Sequence, residues 1–365
     1  MKLNNRSRLL ALISLIAMLQ LSACAQAMTV LGVNDTTPPI IAVWYGSRQE
    51  FGSQGLPQKW INILGNVGDA ESGVREVTYT LNDGQPVSLR LGPNERRLVR
   101  PGDFNIEIDH SILAEGENHL QITARNRGGV EASTAVTVVF NRESAPLPYH
   151  VDWAKIDQAQ PAVMILDGLW AWDSSGIRLK ELGYDRLLAL GGMSWTNYEI
   201  TVPFTMHGID PDAYKVKGSP GAGFGIVIRW LGHTDEPAKC DWPAEPHCGW
   251  EPSGGSGWYS FKQNADDTLT IETGPRETHE PITTRQLEFG HTYIFKMRVV
   301  SQADGNAYSL KVWEPAVESE PAEWTLRRVT AEGFDGRPNQ ENGSIVLALH
   351  RVDATIGNIT VLPIE

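Results

Sequence analysis

The chain has 365 residues, 41% hydrophobic and 21% charged, the make-up of an ordinary folded protein with more than one domain. Its 31 basic and 44 acidic residues give a net charge of −13. That balance argues against nucleic acid and anionic lipid surfaces as partners, although a local basic cleft remains compatible with it.

Met1–Arg8 carries Lys2, Arg6 and Arg8, and Leu9–Leu21 is almost wholly apolar. This is the layout of a secretory signal, too short for a transmembrane helix. The segment closes on Leu21-Ser22-Ala23-Cys24, which resembles the lipobox of bacterial lipoproteins. The resemblance implies that residues 1–23 are removed and that Cys24 carries the lipid, so that the lipid anchor is the only membrane contact. With Ala25 rather than aspartate next in the chain, it also implies an outer-membrane address, periplasmic or surface-facing. Ordinary cleavage near Ala25-Gln26-Ala27 is the alternative.

Residues 24–38 read as a tether. From 39 to 141 the chain alternates in short apolar–polar runs: Ile40–Trp44, Trp60–Leu64, Val74–Leu81, Val87–Leu91, Phe104–Ile108, His119–Ala124 and Ala135–Phe140. Turn signals such as Asn82-Asp83-Gly84 and Pro101-Gly102-Asp103 separate them, and this pattern predicts a β-sandwich. The opening Asp35-Thr36-Thr37-Pro38-Pro39-Ile40 and the closing Asn118–Ala124 and Val136–Phe140 runs resemble bacterial immunoglobulin-like or cadherin-like modules. Such a resemblance implies a spacer or an accessory to binding. Glu107-Ile108-Asp109-His110 begins like a hydrolase carboxylate motif but lacks its second glutamate, and reads as surface strand. Asp69-Ala70-Glu71-Ser72-Gly73 and, later, Asp210-Pro211-Asp212 offer oxygen ligands that would suit calcium as a cofactor, without completing a loop.

Residues 142–148 read as a linker, and 149–365 as a second, larger all-β domain. Its runs Trp195–Val202, Gly223–Trp230, Tyr293–Val299, Tyr308–Trp313 and Ile356–Val361 resemble, in order, the concanavalin A-like lectin/glucanase superfamily and its laminin-G-like relatives. The resemblance implies a jelly-roll sandwich. Strand parity then sets Arg229, Lys296, Arg298, Lys311, Trp313 and Trp258 opposite the apolar positions of their strands. On a concave face these cations and rings would suit an acidic polysaccharide. Ordinary solvated strand residues are the plainer reading of the same pattern.

Between two of these strands, Gly232–Gly257 holds Trp242, Trp250 and the pair Cys240 and Cys248, with seven residues between the cysteines. If Cys24 is lipidated, a local disulfide is the simplest use of the other two, contributing about 2–3 kcal/mol by loop closure. A zinc site with His247 is the alternative. A stapled aromatic loop makes a sugar platform, or packs on its own sandwich. Arg229, Lys296, Arg298, His350 and Tyr293 are residue types a polysaccharide lyase uses, although the motif strings associated with such lyases are missing. The expectation is therefore a lipid-anchored envelope protein that binds glycan. A lyase or hydrolase, and a structural lipoprotein binding another envelope protein, are the alternatives.

Overall fold

A computed structural model describes residues 35–94, 96–215, 221–234, 246–250, 253–273, 282–284, 286–333 and 339–365. The alternation read from the chain becomes strands with one face inward. Gly116–Asn126, for instance, buries Leu120, Ile122 and Ala124 and exposes Glu117, His119 and Gln121 between them. At Asn82 and Asp83 the backbone is left-handed (φ 49° and 58°), and these residue types tolerate the hairpin that joins Val74–Leu81 to Val87–Ser88.

Strands before residue 141 and strands after 149 form separate sheets. The first part pairs a three-stranded sheet (Ile40–Val43, Trp60–Gly68, Asp103–Asp109) with a five-stranded one. The five-stranded sheet includes Arg48–Phe51, which runs parallel to Glu131–Phe140. The second part is a larger sandwich. Its seven-stranded sheet runs Met164–Ile165, Asp185–Leu190, Ser344–His350, Ala222–Trp230, Gly255–Phe261, Thr268–Glu272, Ile282–Thr283. The facing nine-stranded sheet runs from Trp170–Asp173 through Gly176–Leu179, Val352–Ile356, Tyr198–Ile209, Thr292–Gln302 and Gly305–Trp313 to Leu326–Thr330. Ile359–Pro363 and Tyr149–Val151 add to it at Tyr198–Ile209. The chain is thus predominantly β, built of several sandwich-like sheets. One core, with Phe204, Phe224, Phe295, Tyr198 and Tyr308 at its centre, fills the larger sandwich.

The first sandwich does not stand apart from the second. Its own core residues Ile61, Ile63, Phe104 and Ile106 belong to one apolar cluster with Met164, Leu166, Leu187, Val227, Trp230 and Val346 of the seven-stranded sheet and its flank. The connecting segment is seated as well: Ala145 is buried and its carbonyl accepts from Trp195 Nε1. Glu107, expected on a solvated strand face, has a side chain with no exposure at all. The polar parity of Trp60–Gly68 and Asp103–Asp109 meets the second sandwich instead of water.

Candidate functional site

Polar residues make that contact, so they must be paired. Arg97 donates through Nη1 to Glu107 and through Nε to Asp167, both at 2.6 Å, with Leu166 O and His247 O as further acceptors. Asn62 donates to Asn105 Oδ1 and Glu107 Oε1, Asn105 to Leu166 O, and Gln58 to Asn62. His247 brings its backbone N and Nδ1 within 2.5 Å of Glu107 Oε2 and stacks on Trp60 at 4.3 Å. Burial opposes the charge on Glu107, but Arg97 and His247 outweigh it and hold the carboxyl at about 2. Burial with Arg97 nearby lowers His233 to about 3, keeping it neutral, and burial raises Asp167 despite Arg97.

At the margin of this contact, the outer face of the seven-stranded sheet carries a trough, with Leu187 and Ala348 inside the shared apolar cluster and Trp258 packed against it. In register across it lie Thr270, Trp258, Gly225, Ala348 and Leu187, and beside them Thr268, Ser260, Gly223, His350 and Asp185. Two glycines on adjacent positions of one face leave no side chains there, and the Trp258 indole lies across them. A Cβ on Gly223 would stand 2.6 Å from Trp258 Nε1, and one on Gly225 3.0 Å from Trp258 Cε3. Trp258 is half-buried, and the half-buried Ser260 and Thr268 form the next pair along the same face. At the end of the row Asp185 Oδ1 holds His350 Nδ1 at 2.7 Å, and Tyr184 packs edge-on against the same imidazole. The signal for this platform was in the sequence: Gly223 and Gly225 share a parity, and Trp258 faces them in a neighbouring strand.

The remaining sequence-selected residues are placed elsewhere. Parity puts Lys296, Arg298, Lys311 and Trp313 together on the outer face of the nine-stranded sheet, opposite from Trp258. There the segment after Trp313 covers them. Lys296 lies 2.7 Å from Glu320 and 3.3 Å from Glu199, Lys311 lies 2.8 Å from Glu320 and donates to Pro321 O, and Arg298 lies 2.5 Å from Glu199. Trp324 covers the Arg298 and Lys311 charges at 4.9 and 4.8 Å, and Trp313 is buried. This is a neutralised cluster rather than an open cationic face.

Arg229 leaves the expected face altogether. A register shift between Ile228 and Trp230, with Arg229 at φ 55°, breaks the alternation. Trp230 joins the contact with the first sandwich, and Arg229 is sealed in with no exposure, donating to Thr196 O, Gln340 O, Asn197 Oδ1 and Ser301 Oγ. A parity argument assumes an unbroken ladder, which this strand does not have.

Cys24, Cys240 and Trp242 lie outside the described residues, as does the side chain of Trp250, whose backbone pairs with His233. Cys248 is disulfide-bonded, and with His247 engaged by Glu107 and Trp60 neither is arranged as a zinc ligand. Asp69 accepts from Ser72 N, Gly73 N and Asn126, while Asp210 and Asp212 pair with Arg351 and Lys215. Among the described residues no group of three or more His, Cys, Asp or Glu could hold a metal ion.

No protein-family model matches the chain, and no curated protein matches it. Among solved structures, the endo-beta-1,4-mannanase from Thermotoga petrophila is 13% identical at a TM-score of 0.23 over 30% of this chain, which spans 21% of that one. The exoplasmic/lumenal domain of VIP36 in its Ca2+-bound form is 11% identical at a TM-score of 0.37, covering 59% of this chain and 88% of that one. A carbohydrate-binding module of the beta-sandwich super family is 11% identical at 0.20, covering 91% and 98%. At such low identity and superposition, function has to be read from the residues themselves.

Proposed function

We propose that the chain is a lipid-anchored envelope protein that binds glycan without cleaving it, at the Trp258 face of the larger sandwich. One observation carries the reading: a half-buried indole lying across two glycines, flanked by hydroxyl side chains. Flat aromatic rings bind the C–H faces of sugar rings while nearby hydroxyls exchange hydrogen bonds with the sugar. Lys296, Arg298 and Lys311, the cations that would have met an acidic glycan, lie on the opposite sheet and are already matched by Glu199 and Glu320, which favours a neutral glycan.

Hydrolysis finds little support on this face. Its carboxylates among the described residues, Asp185 and Glu272, sit on strands four spacings apart, about 19 Å at the usual interstrand distance. Paired glycosidase carboxylates stand about 5–9.5 Å apart. The lipobox-like Leu21-Ser22-Ala23-Cys24 supports anchoring through Cys24 at the outer membrane.

The test is a glycan array probed with the chain starting after Cys24, with each polysaccharide checked for new chain ends. Binding of neutral glycans that is lost in Trp258→Ala, with no product formed, is the expected result. Binding unchanged in Trp258→Ala, or products in place of retention, overturns it.

A further inference from the structure

A second cleft lies on the opposite side of the larger sandwich, on the outer face of the nine-stranded sheet and away from the Lys296–Glu320 cluster. It is an open hollow of about 560 Å³, bordered by Trp172, Arg178, His207, Asp353 and Thr355 among others. Its size falls within the range of small-ligand pockets. Three strands build it: Gly176–Leu179 sets Arg178 against Thr355 of Val352–Ile356, which in turn pairs with Tyr198–Ile209.

Its groups are fixed before any ligand arrives. Asp353 holds the Arg178 guanidinium from the side, with Nε–Oδ1 at 2.8 Å and Nη2–Oδ2 at 2.6 Å. The second terminal nitrogen, Nη1, has no hydrogen-bond partner among the described residues, and the Arg178 side chain is 47% exposed. His207 Nε2 is bonded to Thr355 Oγ1 at 2.8 Å, and burial with Arg178 nearby lowers its pKa. Trp172 has its Nε1 tied to Ile156 O, which fixes the plane of a half-buried indole.

Arg178 and Lys180 are outnumbered at this cleft by Asp173, Glu181 and Asp353, so no net positive charge awaits an anion. Planar polar side chains with spare hydrogen-bonding capacity, held rigid beside one indole, match the alternating hydroxyls and C–H faces of an uncharged sugar. We infer that this cleft is a second binding site for a neutral sugar unit, which makes the domain bivalent, with one site on each outer face of the sandwich. The inference takes its ligand class from the glycan reading of the Trp258 face, but its residues are independent of that face.

Native gels containing soluble mannan, β-1,3-glucan, β-1,4-glucan or xylan test it with the chain starting after Cys24, in five forms: unaltered, Arg178→Ala, His207→Ala, Trp258→Ala, and Arg178→Ala with Trp258→Ala. Arg178→Ala alters an exposed side chain, and His207→Ala serves as a second, independent variant. Retardation that weakens about tenfold or more in Arg178→Ala and in His207→Ala, weakens separately in Trp258→Ala, and vanishes in the double variant supports two sites. Retardation abolished by Trp258→Ala and untouched by both cleft variants overturns the cleft and leaves the Trp258 reading standing. Loss in the cleft variants alone overturns the Trp258 reading instead. No retardation by any of the four polysaccharides overturns both.

Discussion

Arg97 Nε of the first sandwich stands 2.6 Å from Asp167 Oδ1 at the edge of the second, and the Asp167 side chain has no exposure to solvent. The same guanidinium reaches Glu107 Oε1 at 2.6 Å, so one cation serves two buried carboxylates from two parts of the chain. Removing it takes the paired cation from both and leaves them, among the described residues, only the bonds from Asn62 and His247 to Glu107 and from Asn105 to Asp167. Arg97→Ala is expected to cost about 3–5 kcal/mol, the usual penalty for unpairing a buried charge. Arg125→Ala, whose partner Glu131 lies with it on the surface, should cost no more than about 1 kcal/mol. Urea unfolding of the two variants beside the unaltered chain measures the difference, and equal midpoints would remove the buried pair as a determinant of stability.

The same contact sets a pH dependence. Glu107 has its folded pKa depressed from 4.5 to about 2, so its contribution is present above 4.5 and is lost as pH falls toward 2. His233 is depressed from 6.5 to about 3, so below 6.5 the unfolded chain takes up a proton that the folded chain refuses. Both make the fold weaken as pH falls, His233 first and Glu107 second. Asp167 is raised, so it binds its proton more readily in the folded chain and offsets part of the loss at the acid end. Denaturation midpoints between pH 8 and pH 3 should therefore decline from about pH 6.5 downward. The upper part of that decline should shrink in His233→Gln, provided the variant folds, and a flat profile between pH 6.5 and 4.5 would contradict it.

Trp258 depends on what lies beneath it. A Cβ on Gly225 would sit 2.1 Å from the Gly257 carbonyl oxygen and 3.0 Å from the indole, so backbone as well as ring must shift. Gly225→Ala is expected to cost about 1–3 kcal/mol through overpacking and to weaken glycan binding along with Trp258→Ala. At Gly68, where an added Cβ meets nothing within 4 Å, the same substitution should leave binding unchanged. Thermal unfolding and array binding of the two glycine variants check both halves of the expectation.

Much of this was legible in the chain, and the losses have identifiable causes. Val74–Leu81 has the bounds expected from its alternation, and Thr292–Gln302 and Ala222–Trp230 differ from expectation only at their ends. Met164–Ile165, Trp170–Asp173, Gly176–Leu179 and Asp185–Leu190 were missed: the first three are short, and Asp185–Leu190 is buried along nearly its whole length, so neither kind shows a period of two. Glu107 was misread because alternation reports which residues avoid the apolar core, not whether their face meets water or another polar surface. Arg229 was misplaced by a bulge that strand patterning does not register. The grouping of Lys296, Arg298 and Lys311 was legible from parity, but their neutralisation by Glu199 and Glu320 was not. Glu320 lies on an irregular segment with no period to read.

That neutralisation can be reversed deliberately. Glu320 touches both Lys296 and Lys311, and the two ammonium groups hold its carboxyl below the ordinary range. Glu199 pairs with Lys296 and Arg298. Replacing both carboxylates by glutamine leaves three cations on one face with no carboxylate partner among the described residues. The unaltered chain should pass through a heparin column at low salt. Glu199→Gln with Glu320→Gln should be retained and then released as salt rises, because screening weakens exposed charge pairs. Retention of the unaltered chain, lost in Lys296→Ala, would instead show that the cluster opens to polyanions and would restore an acidic polysaccharide as the ligand.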